Sequence, residues 1–398
     1  MSEEILYLDY HSTTPVDPRV LEAMYPYFSQ EFGNAGSLHG IGEAAKQAVD
    51  KARGDVARAL GADVTEIVFT SGATESNNLA IKGVAERLRR RGNHLVSVVT
   101  EHRAVLDPLK RLAQRGYQVT LLPVEQHPSS HAGWLDPARV AEGLTDETCL
   151  VSVMLANNEI GVLQPIREIA DICHNRGVPL HCDATQAVGK VPVNVDQLGV
   201  DLLSFSGHKL YGPKGIGGLY VRRRGHPVRP EPQIDGGGQE LGLRSGTLNV
   251  AGIVGLGRAI ELAVEELSEE MPRVAALRNQ LAAEIQCRDA SVEMIGPALE
   301  AVDPQGRPLR LTNNLNLMLP GLDGQAVMLA APRLAISSGA TCSAAQPEPS
   351  HVLQGIGLSA EQAHSCLRFG LGRFTTAADI ESAAGMVADA VESLRRML

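Results

Sequence analysis

Three short segments of this chain carry residues whose types and order could do chemistry. The first is Ser71-Gly72-Ala73-Thr74-Glu75-Ser76, which follows an apolar run and opens a helix-like stretch. Gly72 permits a tight turn, and the first N–H groups of a helix lack intrahelical acceptors. With the Thr74 hydroxyl, the segment suits a phosphate. Read alone, it is first of all an ordinary strand-to-helix turn. The second is His181-Cys182-Asp183-Ala184-Thr185-Gln186, where an acid ends an apolar run. An ionised Asp183 could pair with a protonated ring nitrogen; alone, it reads just as well as a helix N-cap. The third runs from Ser204 to Gly215 and holds Lys209 close behind another apolar run. A lysine amine can form a Schiff base with an aldehyde, and Ser206 and His208 could add phosphate contacts. The glycines around it do not have P-loop spacing.

The elements that must position these residues are legible from residue 65 to 220. Glu66–Thr70, His94–Val99, Tyr117–Leu122, Cys149–Leu155, Pro179–Cys182 and Asp201–Phe205 read as strands. Thr74–Arg91, Ala104–Arg115, a stretch opened by Asp136-Pro137, and residues 165–176 read as helices between them. This alternation predicts an α/β fold with a mainly parallel sheet, whose ligands sit beyond the carboxyl ends of the strands. All three segments lie at that edge. A phosphate cradle, a partner for a pyridinium nitrogen and an aldehyde-binding amine are together the needs of pyridoxal 5'-phosphate. Past residue 250 the pattern changes. Ile253, Leu256, Ile260, Val264 and Leu267 recur at helical spacing, Pro272 is expected to kink or interrupt that helix, and Val274, Leu277, Leu281 and Ile285 resume it. Asn314–Leu319 reads as a strand, and an amphipathic helix starts near Ala377.

Composition narrows the classes. The 36 basic and 46 acidic residues give a net charge of -10, which argues against a broad nucleic-acid surface. Arg222-Arg223-Arg224 reads as a solvated strand end. No stretch has the length of a membrane span, and the acidic start Met1-Ser2-Glu3-Glu4 does not resemble a secretory signal. The six cysteines, Cys149, Cys173, Cys182, Cys287, Cys342 and Cys366, form no CxxC pair and lack metal spacing. Reduced thiols in a cytoplasmic protein, without a metal, is the simplest reading.

Many segments in order resemble the cysteine desulfurases of the nitrogen-fixation and iron–sulfur-cluster type, a group of class V aminotransferase-like enzymes. They include Tyr7-Leu8-Asp9-Tyr10, Phe32-Gly33-Asn34, Ser71–Ser76, Thr100-Glu101-His102 and Asn157-Asn158-Glu159-Ile160-Gly161. They continue through Asp183–Gln186, Ser206–Lys209, Arg244-Ser245-Gly246-Thr247, Ser337–Ser350 and Arg368–Thr375. The resemblance implies the aspartate-aminotransferase-like fold and a homodimer. It implies that Lys209 carries the cofactor as a Schiff base and moves protons, that Asp183 pairs with the pyridine nitrogen, and that His102 stacks on the ring and serves as a catalytic residue in acid–base steps. Gln186 is implied to contact the phenolic oxygen; Ala73, Thr74, Ser206 and His208 to hold the phosphate; and Thr247 to reach the partner subunit's phosphate. Asn158, Arg368 and Asn34 are implied at the substrate, Arg368 because its fork suits a carboxylate.

Cys342 decides the reaction that the resemblance implies. It sits in Ser337-Ser338-Gly339-Ala340-Thr341-Cys342-Ser343-Ala344-Ala345, a small polar run with little to bury, expected to form a mobile loop. A thiol there is implied to take sulfur from L-cysteine, leaving L-alanine and a persulfide. The sulfur would serve an acceptor such as an iron–sulfur scaffold protein, or other thio-cofactors. The chain departs from its relatives at Ala35-Gly36 and at Thr341, and it ends at Leu398, where housekeeping bacterial enzymes carry a scaffold-docking tail. Alternatives are a selenocysteine lyase or other class V enzyme, for which the loop thiol is unnecessary, and a non-catalytic protein on the same fold. The expected division is a large cofactor domain at 15–250 and a small domain formed by 1–14 with 251–398, carrying the cysteine loop at about 337–347.

Overall fold

The computed structural model describes residues 5–339 and 348–397. The six apolar runs, with a seventh strand that the alternating pattern did not include, form one sheet: β1 (Ile67–Thr70), β2 (His94–Val98), β3 (Gln118–Leu122), β4 (Thr148–Ser152), β5 (Leu180–Asp183), β6 (Leu202–Ser206) and the added β7 (Gly217–Val221). Their order is β1-β7-β6-β5-β4-β2-β3. The pairs β6·β5, β5·β4, β4·β2 and β2·β3 are parallel, while β7 runs antiparallel to both β6 and β1. Every residue of β4, β5, β6 and β7 is buried, because helices cover both faces of the sheet. Strand β3, at the edge, is the one whose residues are mostly half-buried or exposed.

A helix that the alternating pattern did not reach, α1 (Gly40–Leu60), packs its Ala45, Val49, Ala52 and Val56 side chains into the main core and ends at Gly61, φ 68°. Helix α2 (Ala73–Leu88) follows β1, and α3 (Arg103–Ala113) follows β2. The segment opened by Asp136-Pro137 is helical, with Asp136 accepting from Ala138 N, and residues Ile166–Asn175 form the helix before β5.

The chain then enters α4 (Val250–Arg288), which Pro272 does not interrupt. Ile253, Leu256 and Ile260 lie in the main core, whereas Val274, Leu277, Leu281 and Ile285 lie in a second core. A buried aliphatic side chain contributes about 1.5–3 kcal/mol. Anchors on both sides of the proline therefore outweigh the ~3 kcal/mol that a helix-interior proline costs. The second core is completed by Leu8, by α5 (Ala377–Arg395) and by an antiparallel sheet. That sheet contains β8 (Glu293–Met294), β9 (Asn314–Met318), β10 (Ser337–Ser338) and β11 (Cys366–Gly370), in the order β10-β11-β9-β8. The expected loop from residue 337 thus starts on a strand, since Ser337 and Ser338 pair with Arg368 and Leu367. Cys342 lies outside the described residues.

Candidate active site

The carboxyl edge of the large sheet borders a cavity of about 530 Å³. Its lining includes Ala73 and Thr74 from the start of α2, His102 from the start of α3, and Asn158. Asp183 and Gln186 enter it from beyond β5, and Ser206, His208 and Lys209 from beyond β6. Thus nine of the residues expected at the site converge on one space.

Each group is held by local structure. The turn before α2 is pinned from below: the Thr70 and Ser76 hydroxyls lie 2.8 Å apart, and Ser76 Oγ donates to Gly218 O. Gly72 has φ 150°, and it packs so closely on β7 that a Cβ on Gly217 would come within 2.7 Å of Gly72 Cα. Glu75 accepts from Ser71 N at 2.8 Å and is clamped by Arg244 Nε at 2.8 Å. The Arg244 and Ser71 bonds hold the Glu75 pKa below the usual carboxylate range, against the opposing effect of burial. The opening N–H groups of α2 therefore face the cavity from a rigid mount, as an anion site requires.

Asp183 ends β5. Its Oδ2 accepts from Asn77 Nδ2 at 2.7 Å and its Oδ1 from Thr185 N at 2.9 Å, which fixes the carboxylate. His102 caps α3, with Nδ1 accepting from Ala104 N at 3.1 Å, so a neutral ring carries its proton on Nε2. Surrounding protein lowers the His102 pKa, which favours that neutral ring. Behind it Glu101 is fully buried, and burial, then the Asp183 charge, raise its pKa well above the carboxylate range.

Lys209 Nζ donates to His11 O at 2.5 Å and Ser12 O at 2.7 Å. Burial first, then the Arg368 charge, lower its pKa to about 8. Beside it, His208 Nδ1 meets Thr13 Oγ1 at 3.1 Å. Arg368 lies on β11 of the small sheet and reaches the site through Asn158 O at 3.1 Å and Ser12 Oγ at 2.8 Å. Its Nη2 also pairs with Asp9 Oδ1 at 2.9 Å, while its buried Nε has no hydrogen-bond partner. Two expected residues lie elsewhere in the single chain: Thr247 is exposed, and so is Asn34, whose Oδ1 accepts from Gly36 N.

The lining fits pyridoxal phosphate on physical grounds. It offers an amine with a lowered proton affinity, a carboxylate locked for a ring N–H, and a helix start for a phosphate. Asn77 Oδ1 and Thr185 Oγ1, both from lining residues, are buried without a hydrogen-bond partner. Sequence reasoning missed Asn77. Its spacing of four from Ala73 places it one helical turn below the phosphate end of α2, on the face toward β5.

A family model described as "Aminotransferase class-V" matches residues 6–382. The chain belongs to this family. Its relatives place it among the cysteine desulfurases. It is 49% identical to "Cysteine desulfurase IscS" of Anaeromyxobacter dehalogenans (strain 2CP-C), over 98% of this chain and 94% of that relative. It is 48% identical to "Cysteine desulfurase IscS" of Rickettsia akari (strain Hartford), over 98% and 92%. A solved structure titled "NIFS-LIKE PROTEIN" superposes with a TM-score of 0.86 at 36% identity, covering 99% of this chain and 100% of that one. Another, "SspA in complex with cysteine", gives 0.77 at 37%, covering 93% and 99%. Class V enzymes of this kind depend on pyridoxal phosphate, which is the cofactor the cavity suits.

Proposed function

We propose that this class V enzyme is a cysteine desulfurase that takes sulfur from L-cysteine through Cys342 and releases L-alanine. The observation that carries the reading is the convergence of Lys209, Asp183 and the start of α2 on one cavity, with Arg368 beside it. Pyridoxal phosphate, when bound, supplies an electron sink for charge that develops on the substrate carbons. Lys209 is the amine that would hold its aldehyde. Once released from that aldehyde, the same amine, its proton affinity lowered by burial and then by the Arg368 charge, would move a proton at the substrate α-carbon. Asp183, fixed by Asn77 and Thr185, would hold the ring N–H, and Ala73, Thr74, Ser206 and His208 the phosphate. His102 would cover the ring face, and Gln186 would meet the phenolic oxygen.

Arg368, with Asn158, would bind the substrate carboxylate; Asn34, exposed and away from this cavity in its own chain, would reach the substrate only from the partner subunit. The Cys342 thiolate then forms an S–S bond to the substrate sulfur. The C–S bond breaks, its electron pair stays with carbon, and protonation of that carbon completes L-alanine.

We further infer a homodimer, because Thr247 is exposed in its own chain and its family role is to reach the partner's phosphate. We place it in the cytoplasm, where thiols stay reduced: the five cysteines among the described residues are free. The acceptor we favour is an iron–sulfur scaffold protein. The division into 15–250 and 1–14 with 251–398 draws support from Leu8 packing in the second core; α4, β9 and β11 each contribute side chains to both cores. The test of the activity is to mix purified protein with L-cysteine and a reductant. Sulfide and alanine should appear in equal amounts; alanine without sulfide, or neither product, overturns the reading.

A further inference from the structure

Lys190 follows β5 and is one of the few lysines withdrawn from solvent, with 8% of its surface exposed. Among the described residues its one hydrogen-bond partner is an uncharged atom, Gln186 Oε1, at 2.7 Å. No carboxylate forms an ion pair with it among the described residues. The Glu270 charge favours its protonated form, but by less than burial and the Lys209 charge oppose it; a buried amine so weakly compensated destabilises a fold, so its retention calls for a role.

The surroundings of Gln186 supply one. Gln186 Oε1 also lies 3.1 Å from His11 Nδ1, and Gln186 Nε2 donates to His11 O at 2.9 Å. That carbonyl is the one to which Lys209 Nζ donates. The amide NH2 of Gln186 therefore faces the same side as the Lys209 amine. Turning the amide over would set its NH2 against the Lys190 amine, donor to donor, and its oxygen against the His11 carbonyl, acceptor to acceptor. The His11 ring adapts to either orientation by exchanging tautomers. The His11 carbonyl is shared with Lys209. Lys190 is thus the fixed donor that selects the orientation.

We propose that Lys190 is a positioning residue that locks the Gln186 amide with its N–H donors toward Lys209, preset for an anionic ring oxygen of the cofactor. Burial, then the Lys209 charge, lower the Lys190 pKa to about 7, in keeping with an amine held for its donor geometry more than for its charge. This role rests on the cofactor reading above and deepens it.

The test compares pyridoxal phosphate binding to apoprotein in wild type, Lys190→Met, Gln186→Ala and the double variant. Lys190→Met should weaken cofactor binding about threefold to tenfold, the effect of one misdirected hydrogen bond, and displace the visible absorption band of the bound cofactor. In the Gln186→Ala background it should change neither, because the two residues act as one unit. The melting temperature of the Lys190→Met apoprotein should equal or exceed that of wild type, which separates positioning from structural support. Lys190→Leu carries the same expectation should methionine not be accepted in that space. A Lys190→Met protein with wild-type affinity and spectrum overturns the proposal, as does an equal effect with and without Gln186. Wild type that takes up no pyridoxal phosphate contradicts the cofactor assignment itself, whereas a loss confined to the variants supports the role of Lys190 whatever the substrate.

Discussion

Replacing Arg368 with alanine should raise the Michaelis constant for L-cysteine while leaving the absorbance of the bound cofactor in place. In the structure Arg368 Nη2 holds Asp9, Ser12 and Ser337, and Nη1 holds Asn158 O. Nη1 makes one hydrogen bond among the described residues, which leaves its second hydrogen for an incoming carboxylate. A charge-assisted bond of this kind contributes about 1.5–3 kcal/mol, so its loss corresponds to about tenfold to a hundredfold in binding. The alanine variant also leaves the Asp9 carboxylate without its arginine, and the substrate carboxylate then meets a like charge. Asp9→Asn placed on top of Arg368→Ala should therefore recover part of the loss. The assay is initial sulfide release against L-cysteine concentration, with a visible spectrum of each variant. An unchanged Michaelis constant in Arg368→Ala, or no recovery in the double variant, refutes this account of the carboxylate site.

Lys209, with its pKa lowered to about 8, is protonated below that value and a free amine above it. The rate at which apoprotein takes up pyridoxal phosphate should rise with pH up to about 8 and then level off; a rate independent of pH across that region would contradict the assignment of Lys209 as the reacting amine. Brief alkylation of the native protein should modify Cys287, the exposed thiol among the described residues, and spare Cys149, Cys173, Cys182 and Cys366, which are buried. Burial pushes the Cys149 thiol up to about 11 and Cys173 and Cys366 up to about 12, so they are also poor nucleophiles near neutral pH. Peptide mapping that finds Cys149 or Cys173 labelled as fast as Cys287 would contradict the packing described.

The large sheet was legible because its strands are continuous apolar runs bounded by turns, and the observed strands fall within a few residues of those runs. The convergence of the Ser71–Ser76, Asp183 and Lys209 segments followed from the rule that ligands sit at the carboxyl ends of parallel strands. Three features were hidden for physical reasons. Strand β7 pairs antiparallel with β6 and β1, and direction leaves no mark in a run as short as Gly217–Val221. Pro272 reads as a helix breaker, yet both halves of α4 are anchored in separate cores. The contacts that tune the site, Asn77 to Asp183, Lys190 to Gln186 and Asp9 to Arg368, join residues 106, 4 and 359 positions apart. Two of these are tertiary pairings with no local pattern. The third is local in sequence but gains its meaning only from His11, 175 residues away from Gln186.

Sulfur should pass from L-cysteine to Cys342. The protein should be exposed to L-cysteine without reductant, digested, and its peptides weighed by mass spectrometry, with Cys342→Ser treated in parallel. One added sulfur atom should appear on the peptide containing Cys342, and the serine variant should keep its cofactor but produce neither persulfide nor alanine. Added sulfur on Cys149, Cys173, Cys182, Cys287 or Cys366 instead, or undiminished alanine from Cys342→Ser, would contradict the account.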